Sequence, residues 1–262
     1  MKLIVLMKQV IDPEAPVSSF KIDADAGRAI PPKGTPPVLS PFDENALEAA
    51  LRLKDSREAE VTVICLGPRL ARPVLRKALA AGADELICLE DEVFHDLDGY
   101  ATSYILSRAI KTLGKYDLIL CGRQAADSDA GQVGSGIAAM LGLPLVTLAR
   151  RIEATGSRIM VERVVADGYE VIESPLPAVV TVSNELGELR SASLAAIIAA
   201  QKKESTTRTA ADLGIDPSWP KRTRLKRLYI PVREATCQFI DGESPQATAA
   251  NLARKLRQDE II

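Results

Sequence analysis

The chain has 262 residues and a nearly balanced charge, with 33 Lys and Arg against 35 Asp and Glu and a formal net charge of −2. This balance gives no reason to expect a nucleic-acid-binding or membrane-surface protein, and 4% aromatic residues leave little material for base stacking. A single histidine, His95, excludes a His-rich metal site.

The first 144 residues alternate apolar runs with amphipathic stretches. Continuous apolar runs predict four buried strands, at 3–7, 60–67, 85–90 and 116–122. Amphipathic stretches predict helices at 43–56, from 69 to a stop at Gly82, at 99–115 and at 134–144. The Pro- and Gly-rich residues 8–42 predict a long irregular segment that could include a small hairpin. Strands that are apolar throughout predict a doubly wound α/β fold, with a mostly parallel, Rossmann-like sheet covered by helices on both faces.

The middle of the chain has a different pattern. Residues 145–176 contain β-rich stretches with short turns around Thr155-Gly156 and Asp167-Gly168, which predicts an antiparallel meander appended to the sheet. A further buried strand is expected over 177–183, and an Ala-rich helix over 191–200.

The pattern also predicts how the chain divides. Residues 1–200 form one α/β domain that includes the meander. After Gln201 the core periodicity is lost, so 201–262 is expected to be an extended arm with a terminal helix over 244–258, laid over another subunit.

Features at the N-terminus and the cysteines indicate the compartment. The first apolar run is short and is followed by Lys8, and no window approaches the ~20 apolar residues of a membrane span. The four cysteines are widely spaced, and three lie in apolar runs, which favours buried free thiols over disulfides or zinc ligands: Cys65, Cys88, Cys121 and Cys237. We therefore expect a cytoplasmic protein, or one from a matrix-like compartment.

The loop GRQAADSDAGQVGSG, residues 122–136, is the richest candidate site. It follows a predicted strand at the sheet edge where open parallel sheets bind ligands. Its glycines would let backbone N–H groups approach a phosphate at a helix N-terminus. Asp127 or Asp129 could accept hydrogen bonds from a ribose or adenine, and Gln132 could meet an amide or phosphate oxygen. The spacing is neither a Rossmann fingerprint nor a P-loop, so a loop that merely caps a helix is the alternative.

Other candidates favour structural or solvent-exposed roles. His95 lies among acids in a loop and is expected to be exposed. The basic run from Lys221 to Arg227 lacks interleaved aromatic residues and predicts a solvated face or an intersubunit contact. Two acidic pairs, Asp23 with Asp25 and Asp127 with Asp129, lack a full ligand set, so no metal is expected.

Several segments taken together resemble the beta subunit of the electron transfer flavoproteins. The resemblance extends from the first residue to the last helix, and the block from 122 to 144 is its most specific part. It rests on VLMKQVID, SPFDENALEAALRLKD, CLGP, KALAAGADE, GRQAADSDAGQVGSGIAAMLGLP and PAVVTVSNELGELRSASLAAI.

The resemblance implies a function. Such proteins are heterodimers of an alpha and a beta subunit that carry electrons from flavin dehydrogenases, often acyl-CoA dehydrogenases, to a quinone oxidoreductase or another acceptor. The redox FAD is held mainly by the alpha subunit, and the beta subunit of many members holds a structural AMP. In electron-bifurcating members a second FAD takes that place and accepts hydride from NADH. A non-catalytic carrier subunit is expected, with the arm packed on the alpha subunit. A stand-alone nucleotide-hydrolysing α/β enzyme is the third alternative.

The family's nucleotide contacts carry over by matching segments. They imply that these residues bind the cofactor: Leu6, Ser40, Pro41, Phe42, Asp43, Leu66, Gly122, Arg123, Gln124, Ala125, Ala126, Asp127, Ser128, Asp129, Ala130, Gly131, Gln132 and Val133. Three of them depart from the AMP-binding mitochondrial type. Ser40 stands where Asn is common, and Gly131 and Val133 stand where Asn and Thr are common. The GQVG version is closer to the bifurcating branch, so both ligands stay open.

The family's partner-docking loop matches residues 185–203. Leu194 would be its apolar anchor, with an ordinary core leucine as the alternative reading. Here Leu189-Arg190 replaces the typical Pro-Arg, and the usual lysine run is cut to Lys202-Lys203.

Overall fold

The computed structural model describes residues 1–16, 20–23, 26–216, 221–231 and 237–262. The strands are β1 Lys2–Met7, β2 Gln9–Val10, β3 Lys21–Asp23, β4 Arg28–Ile30, β5 Val38–Leu39, β6 Glu60–Gly67, β7 Glu85–Glu90, β8 Leu118–Gly122, β9 Leu145–Thr155, β10 Arg158–Val165, β11 Gly168–Pro175, β12 Ala178–Val182 and β13 Thr206–Arg208. The helices are α1 Pro41–Ser56, α2 Arg72–Ala81, α3 Gly99–Thr112, α4 Val133–Leu141, α5 Leu194–Lys202 and α6 Pro245–Gln258. Asp25, one member of the acidic pairs considered above, lies outside the described residues.

A nine-stranded sheet organises the described part of the chain, in the order β11-β10-β9-β12-β8-β1-β6-β7-β13. In this spatial order, all neighbouring strands from β9 through β12, β8, β1, β6 and β7 to β13 are parallel. Strand β10 pairs antiparallel with both β9 and β11. The predicted parallel sheet and its antiparallel meander are confirmed. The apolar sequence of β1 is explained by its central place, since Leu6 lies opposite Ile64 on one side and Cys121 on the other.

Helices cover both faces of the sheet, as the doubly wound prediction requires. Successive side chains of β1 point to opposite faces, so Leu3 and Val5 join one buried cluster and Ile4 and Leu6 join the other. Helices α1 and α2 supply apolar side chains to the first cluster, and α3 and α4 supply them to the second. The core therefore consists of two layers separated by the sheet.

Element boundaries differ from the predictions by a few residues. Helix α1 begins at Pro41 and not at Asp43, because proline is well suited to the first helical position, where its missing N–H costs nothing. Helix α5 begins at Leu194 and not at residue 191, because the Ser193 side chain caps it by accepting from the N–H of Ala196. Strands β3 and β4 pair as an antiparallel hairpin within the irregular segment 8–42.

Packing on the sheet continues beyond residue 200. Strand β13 pairs with β7, and the turn that follows buries Leu213 and Ile215 in the cluster beneath α3. A single-sequence pattern could not show this, because a three-residue strand is too short for a periodic signal. The division of the chain at residue 200 stays a prediction. Within the part of the chain that the structure describes, some side chains of α6 are partly buried and none is fully buried.

The expectation for the thiols is confirmed at three positions. Cys65, Cys88 and Cys121 are buried and free, whereas Cys237 is free and exposed. No helix within the described residues has both the length and the apolar character needed to cross a bilayer.

Candidate functional site

A cleft of about 390 Å³ opens where the carboxyl ends of β1, β6 and β8 meet. Leu6 and Lys8 border it from the end of β1, and Leu66 borders it from β6. The loop from β8 into α4 forms one wall, and the start of α3 forms another. The two sequence-distant loops after β1 and β8 meet here because parallel strands end at the same sheet edge.

Asp43 ties these strand ends together from the first turn of α1. Its Oδ2 accepts the N–H of Lys8 at 2.8 Å, and its Oδ1 accepts the N–H of Gly122 at 2.9 Å. Burial raises the pKa of this carboxyl to about 7, although the two backbone hydrogen bonds act in the opposite direction. Both oxygens are thus occupied in holding the backbone that borders the cleft.

Two glycines let the walls approach closely. A Cβ added at Gly122 would lie 2.6 Å from the carbonyl carbon of Phe42, and one added at Gly134 would lie 2.7 Å from the Cγ2 of Thr181. Neither position has room for a larger residue without movement of its neighbours. The glycine-rich sequence of the loop is therefore a packing requirement at these two positions.

Helix α4 points its N-terminus into the cleft. Gly131 adopts the left-handed conformation, with φ of 62°, just before the N-cap residue Gln132. Within the described part of the chain, the Gln132 side chain makes no capping hydrogen bond. The N–H groups of the first helical turn have no intrahelical acceptor and carry the positive end of the helix dipole, which suits a phosphate.

Charged side chains surround the outer part of the loop. The Lys8 ammonium lies 2.7 Å from Oδ2 of Asp127, and Gln124 donates to Asp129 at 2.8 Å. The Arg123 guanidinium lies 4.8 Å from the centre of the Phe42 ring. Its Nε is buried and has no hydrogen-bond partner among the described residues. Two cationic groups, Lys8 and Arg123, are therefore held at the rim.

The sequence is similar to one characterised group of proteins. The sequence model described as "Electron transfer flavoprotein domain" matches residues 33–213, more than half of the chain. A protein of Thermoanaerobacterium thermosaccharolyticum named "Electron transfer flavoprotein subunit beta" is 38% identical over the full length of both chains.

The chain belongs to the electron transfer flavoprotein beta subunits.

Two further relatives carry other names. "Caffeyl-CoA reductase-Etf complex subunit CarD" of Acetobacterium woodii is 39% identical over all of both chains. "Protein FixA" of Azorhizobium caulinodans is 36% identical over 82% of this chain and 78% of its own. As a member of this family, the chain has an alpha-subunit partner and a role in electron transfer.

The structure gathers most of the residues that the resemblance implied for this beta subunit. Twelve border the cleft: Leu6, Asp43, Leu66, Gly122, Arg123, Gln124, Ala125, Ser128, Ala130, Gly131, Gln132 and Val133. Six do not line it: Ser40, Pro41, Phe42, Ala126, Asp127 and Asp129. Ser40 is fully buried, and its Oγ accepts the N–H of Ala126 at 3.4 Å. It therefore anchors the loop without lining the cleft.

Some bordering residues have no local sequence signal. Gly99 and Thr102 of α3 line the cleft together with Phe94 and Leu97, which precede the helix. A Cβ at Gly99 would lie 2.7 Å from the Gln132 amide oxygen, so this glycine makes room for the loop. Only the packing of α3 beside α4 brings them here.

The docking candidate of this family, Leu194, is exposed over 73% of its surface. Ile197 and Ile198 on the same helix are also exposed, and Ala200 is the buried residue of α5. The reading of Leu194 as an ordinary core leucine is therefore wrong. His95 is exposed beside Glu92, as predicted.

Two potentially reactive groups at the cleft, Cys121 and Asp43, are restrained by their surroundings. The Cys121 thiol at the base of the cleft is kept protonated, because burial raises its pKa well above the ordinary value. Asp43 has both oxygens engaged by backbone N–H groups. These two groups are therefore not placed to serve as nucleophile and general base.

Proposed function

We propose that this beta subunit holds a structural AMP in the cleft and, with its alpha subunit, carries electrons from a flavin dehydrogenase to a quinone oxidoreductase or another acceptor. The observation that carries the proposal is the uncapped N-terminus of α4, which faces a cleft bordered by twelve of the residues that the family implies. A helix N-terminus with glycines before it is suited to one phosphate group.

The residues of the cleft suit the three parts of a nucleotide, which are phosphate, sugar and base. The N–H groups at the start of α4 and the Lys8 ammonium would hold the phosphate. Gln124 and Ser128 offer polar groups to a sugar. Leu6, Leu66 and Phe94 provide apolar surface for a flat base. The redox FAD, held mainly by the alpha subunit, supplies the electron chemistry.

A second FAD in the same cleft is the alternative, and one comparison favours it. The relative named as a subunit of a caffeyl-CoA reductase-Etf complex is 39% identical along the whole chain. The GQVG sequence at 131–134 also departs from the AMP-binding type. In that case the flavin in this subunit would accept hydride from NADH. A stand-alone nucleotide-hydrolysing enzyme receives less support, because Asp43 is fully engaged by backbone groups.

The proposal also assigns the partner surfaces. We place the flavin dehydrogenase on the exposed apolar face of α5 around Leu194. We place the alpha subunit on the arm within 201–262, where large apolar side chains are exposed: Leu225, Tyr229, Ile230 and Phe239. The buried free thiols are typical of a reducing compartment, which supports a cytoplasmic location.

One experiment tests the proposal and separates its alternatives. The chain is co-expressed with its alpha subunit, the heterodimer is denatured, and the released nucleotides are identified by mass. One FAD and one AMP per heterodimer support the proposal, whereas two FAD and no AMP support the alternative. Release of neither AMP nor a second FAD overturns both. A fully stable monomer that does not associate with the alpha subunit contradicts the heterodimer.

A further inference from the structure

We propose that Arg190 is a positioning residue that fixes the docking helix α5 by clamping the segment before it onto α1. The inference rests on the proposed docking of a dehydrogenase at Leu194, four residues further along the chain. It assigns a role to a polar cluster whose residues do not line the nucleotide cleft.

The Arg190 guanidinium joins two carboxylates of α1. Its Nε lies 3.0 Å from Oε2 of Glu48 and its Nη2 lies 3.1 Å from Oε1, which is a two-bond pairing. Nη1 and Nη2 also donate to Asp55 at 3.2 and 2.8 Å. The backbone N–H of Arg190 donates to Glu48 at 3.1 Å. Planar pairing of this kind fixes orientation as well as distance.

The electrostatics show a strongly engaged cluster. Burial acts to raise the pKa of the Glu48 carboxyl, but the hydrogen bonds from Arg190 and Arg52 hold it below its ordinary value. The hydrogen bonds that Arg190 donates to Glu48 and Asp55 raise the pKa of the guanidinium further. Glu48 is 5% exposed, so removal of its cationic partner would leave a buried carboxylate incompletely compensated.

The same face of α1 holds the segment at two more points. Arg52 donates to the carbonyl of Leu186 at 2.9 Å, and Asn45 donates to the carbonyl of Gly187 at 2.6 Å. The α1 contacts recur at helical spacing, so they form one stripe: Asn45, Glu48, Arg52 and Asp55. The backbone from 186 to 190 is thus fastened to a helix that belongs to the core.

The clamp acts where the chain enters α5, a helix that also packs against α2. Ala200, near its C-terminal end, is its buried residue, and Lys203 just after it donates to the carbonyl of Ala83 at 3.0 Å. The N-terminal half presents Leu194, Ile197 and Ile198 to solvent. The start of α5 is therefore fixed jointly by its packing on α2 and by Arg190, across only three intervening residues.

The test uses the heterodimer carrying Arg190→Gln, with Arg151→Gln as the matched control. Arg151 is an arginine of β9 that pairs with Glu153 of its own strand and Glu162 of β10. Hydrogen exchange of the amides in 189–198 should quicken about tenfold in Arg190→Gln and stay unchanged in the control. With an acyl-CoA dehydrogenase as donor, the KM for the heterodimer should rise about fivefold, with kcat within about twofold and an unchanged flavin and nucleotide content.

Milder variants keep the test decisive if Arg190→Gln fails to fold. Arg190→Lys retains the charge but cannot form the planar pairing, so its KM should lie between those of the wild type and Arg190→Gln. Unchanged exchange in both Arg190 variants overturns the proposal. So does faster exchange with an unaltered KM, if Leu194→Ala raises the KM in the same assay. If Leu194→Ala also leaves the KM unaltered, the proposed docking function fails and the positioning role fails with it.

Discussion

The carboxylate of Asp43 accepts the backbone N–H of Gly122 at 2.9 Å, so the first turn of α1 is bonded directly to the end of β8. The two residues lie 79 positions apart in the chain. The contact is close because Gly122 has no side chain: a Cβ there would lie 2.7 Å from the Asp43 oxygen. This pair fixes the point at which the cleft loop leaves the sheet.

Substitution of Gly122 by Ala should disrupt both stability and the cleft. The added methyl group would meet the backbone carbonyl carbon of Phe42, which cannot move aside as a flexible side chain can. We expect a loss of about 2 kcal/mol in the free energy of unfolding, together with weaker nucleotide retention. Denaturant titration and nucleotide analysis of the purified heterodimer measure the two effects.

Gly67→Ala is the matched control for that change. Gly67 also borders the cleft, but its added Cβ would meet only the side chain of Leu70, with the Cδ2 at 3.1 Å. A side-chain end of this kind can shift, so the loss should be less than about 1 kcal/mol. Equal losses in the two variants would contradict the role given to backbone contact at Gly122.

Stability should depend on pH through Asp43. Burial raises its pKa from an ordinary 3.8 to about 7 in the folded chain. Between these values the folded state keeps a proton that the unfolded state has released, so the free energy of unfolding falls as pH rises toward 7 and levels off above it.

Asp43→Asn provides the comparison, because its amide does not titrate. The difference in unfolding free energy, wild type minus variant, should fall by roughly 2.5 kcal/mol between pH 5 and pH 8. Denaturant titrations at pH 5, 7, 8 and 9 measure it. A difference that rises with pH, or that keeps changing between pH 8 and 9, would count against a raised pKa at this position.

The pair of Lys8 and Asp127 should control phosphate affinity. The ammonium lies 2.7 Å from the Asp127 carboxylate, which competes with a bound phosphate for the same cation. We expect Asp127→Asn to strengthen AMP binding about threefold and Lys8→Met to weaken it about tenfold. Calorimetric titration of nucleotide-stripped heterodimer measures both affinities.

Adenosine, which lacks the phosphate, is the control ligand for this pair. Its affinity should change by less than about twofold in either variant, because neither alters the surface for the base. If Asp127→Asn weakens AMP and adenosine equally, Asp127 contacts the sugar or base instead, as the sequence first suggested.

Leu194→Ala should slow electron transfer from a dehydrogenase. Its side chain is 73% exposed in this chain and would lose most of that exposure on docking, so truncation should raise the KM about fivefold or more. Flavin content should stay unchanged. Val171→Ala, which truncates another exposed apolar side chain on the meander strand β11, should leave the rate unaltered. Equal rates for wild type and Leu194→Ala would remove the docking role.

The sequence by itself determined the main strands of the sheet and the richest loop of the cleft. Continuous apolar runs such as 60–67 mark parallel strands, because a strand covered on both faces has no solvent side and so no alternation. The loop after β8 was also recognisable, since its glycines and the following helix are adjacent in the chain. Local sequence patterns indicate local structure and burial, and both the buried strands and this loop are local features.

Tertiary structure alone decided what meets across the chain. No local pattern shows that Gly99 faces Gln132, that Asp43 bonds to Gly122, or that Arg190 is held by α1. It also decided that Leu194 is exposed, since an apolar residue in an Ala-rich helix has the same sequence signature whether or not another element covers it. These relationships depend on how helices pack on the sheet, and packing couples residues whose separation along the chain carries no periodic signal.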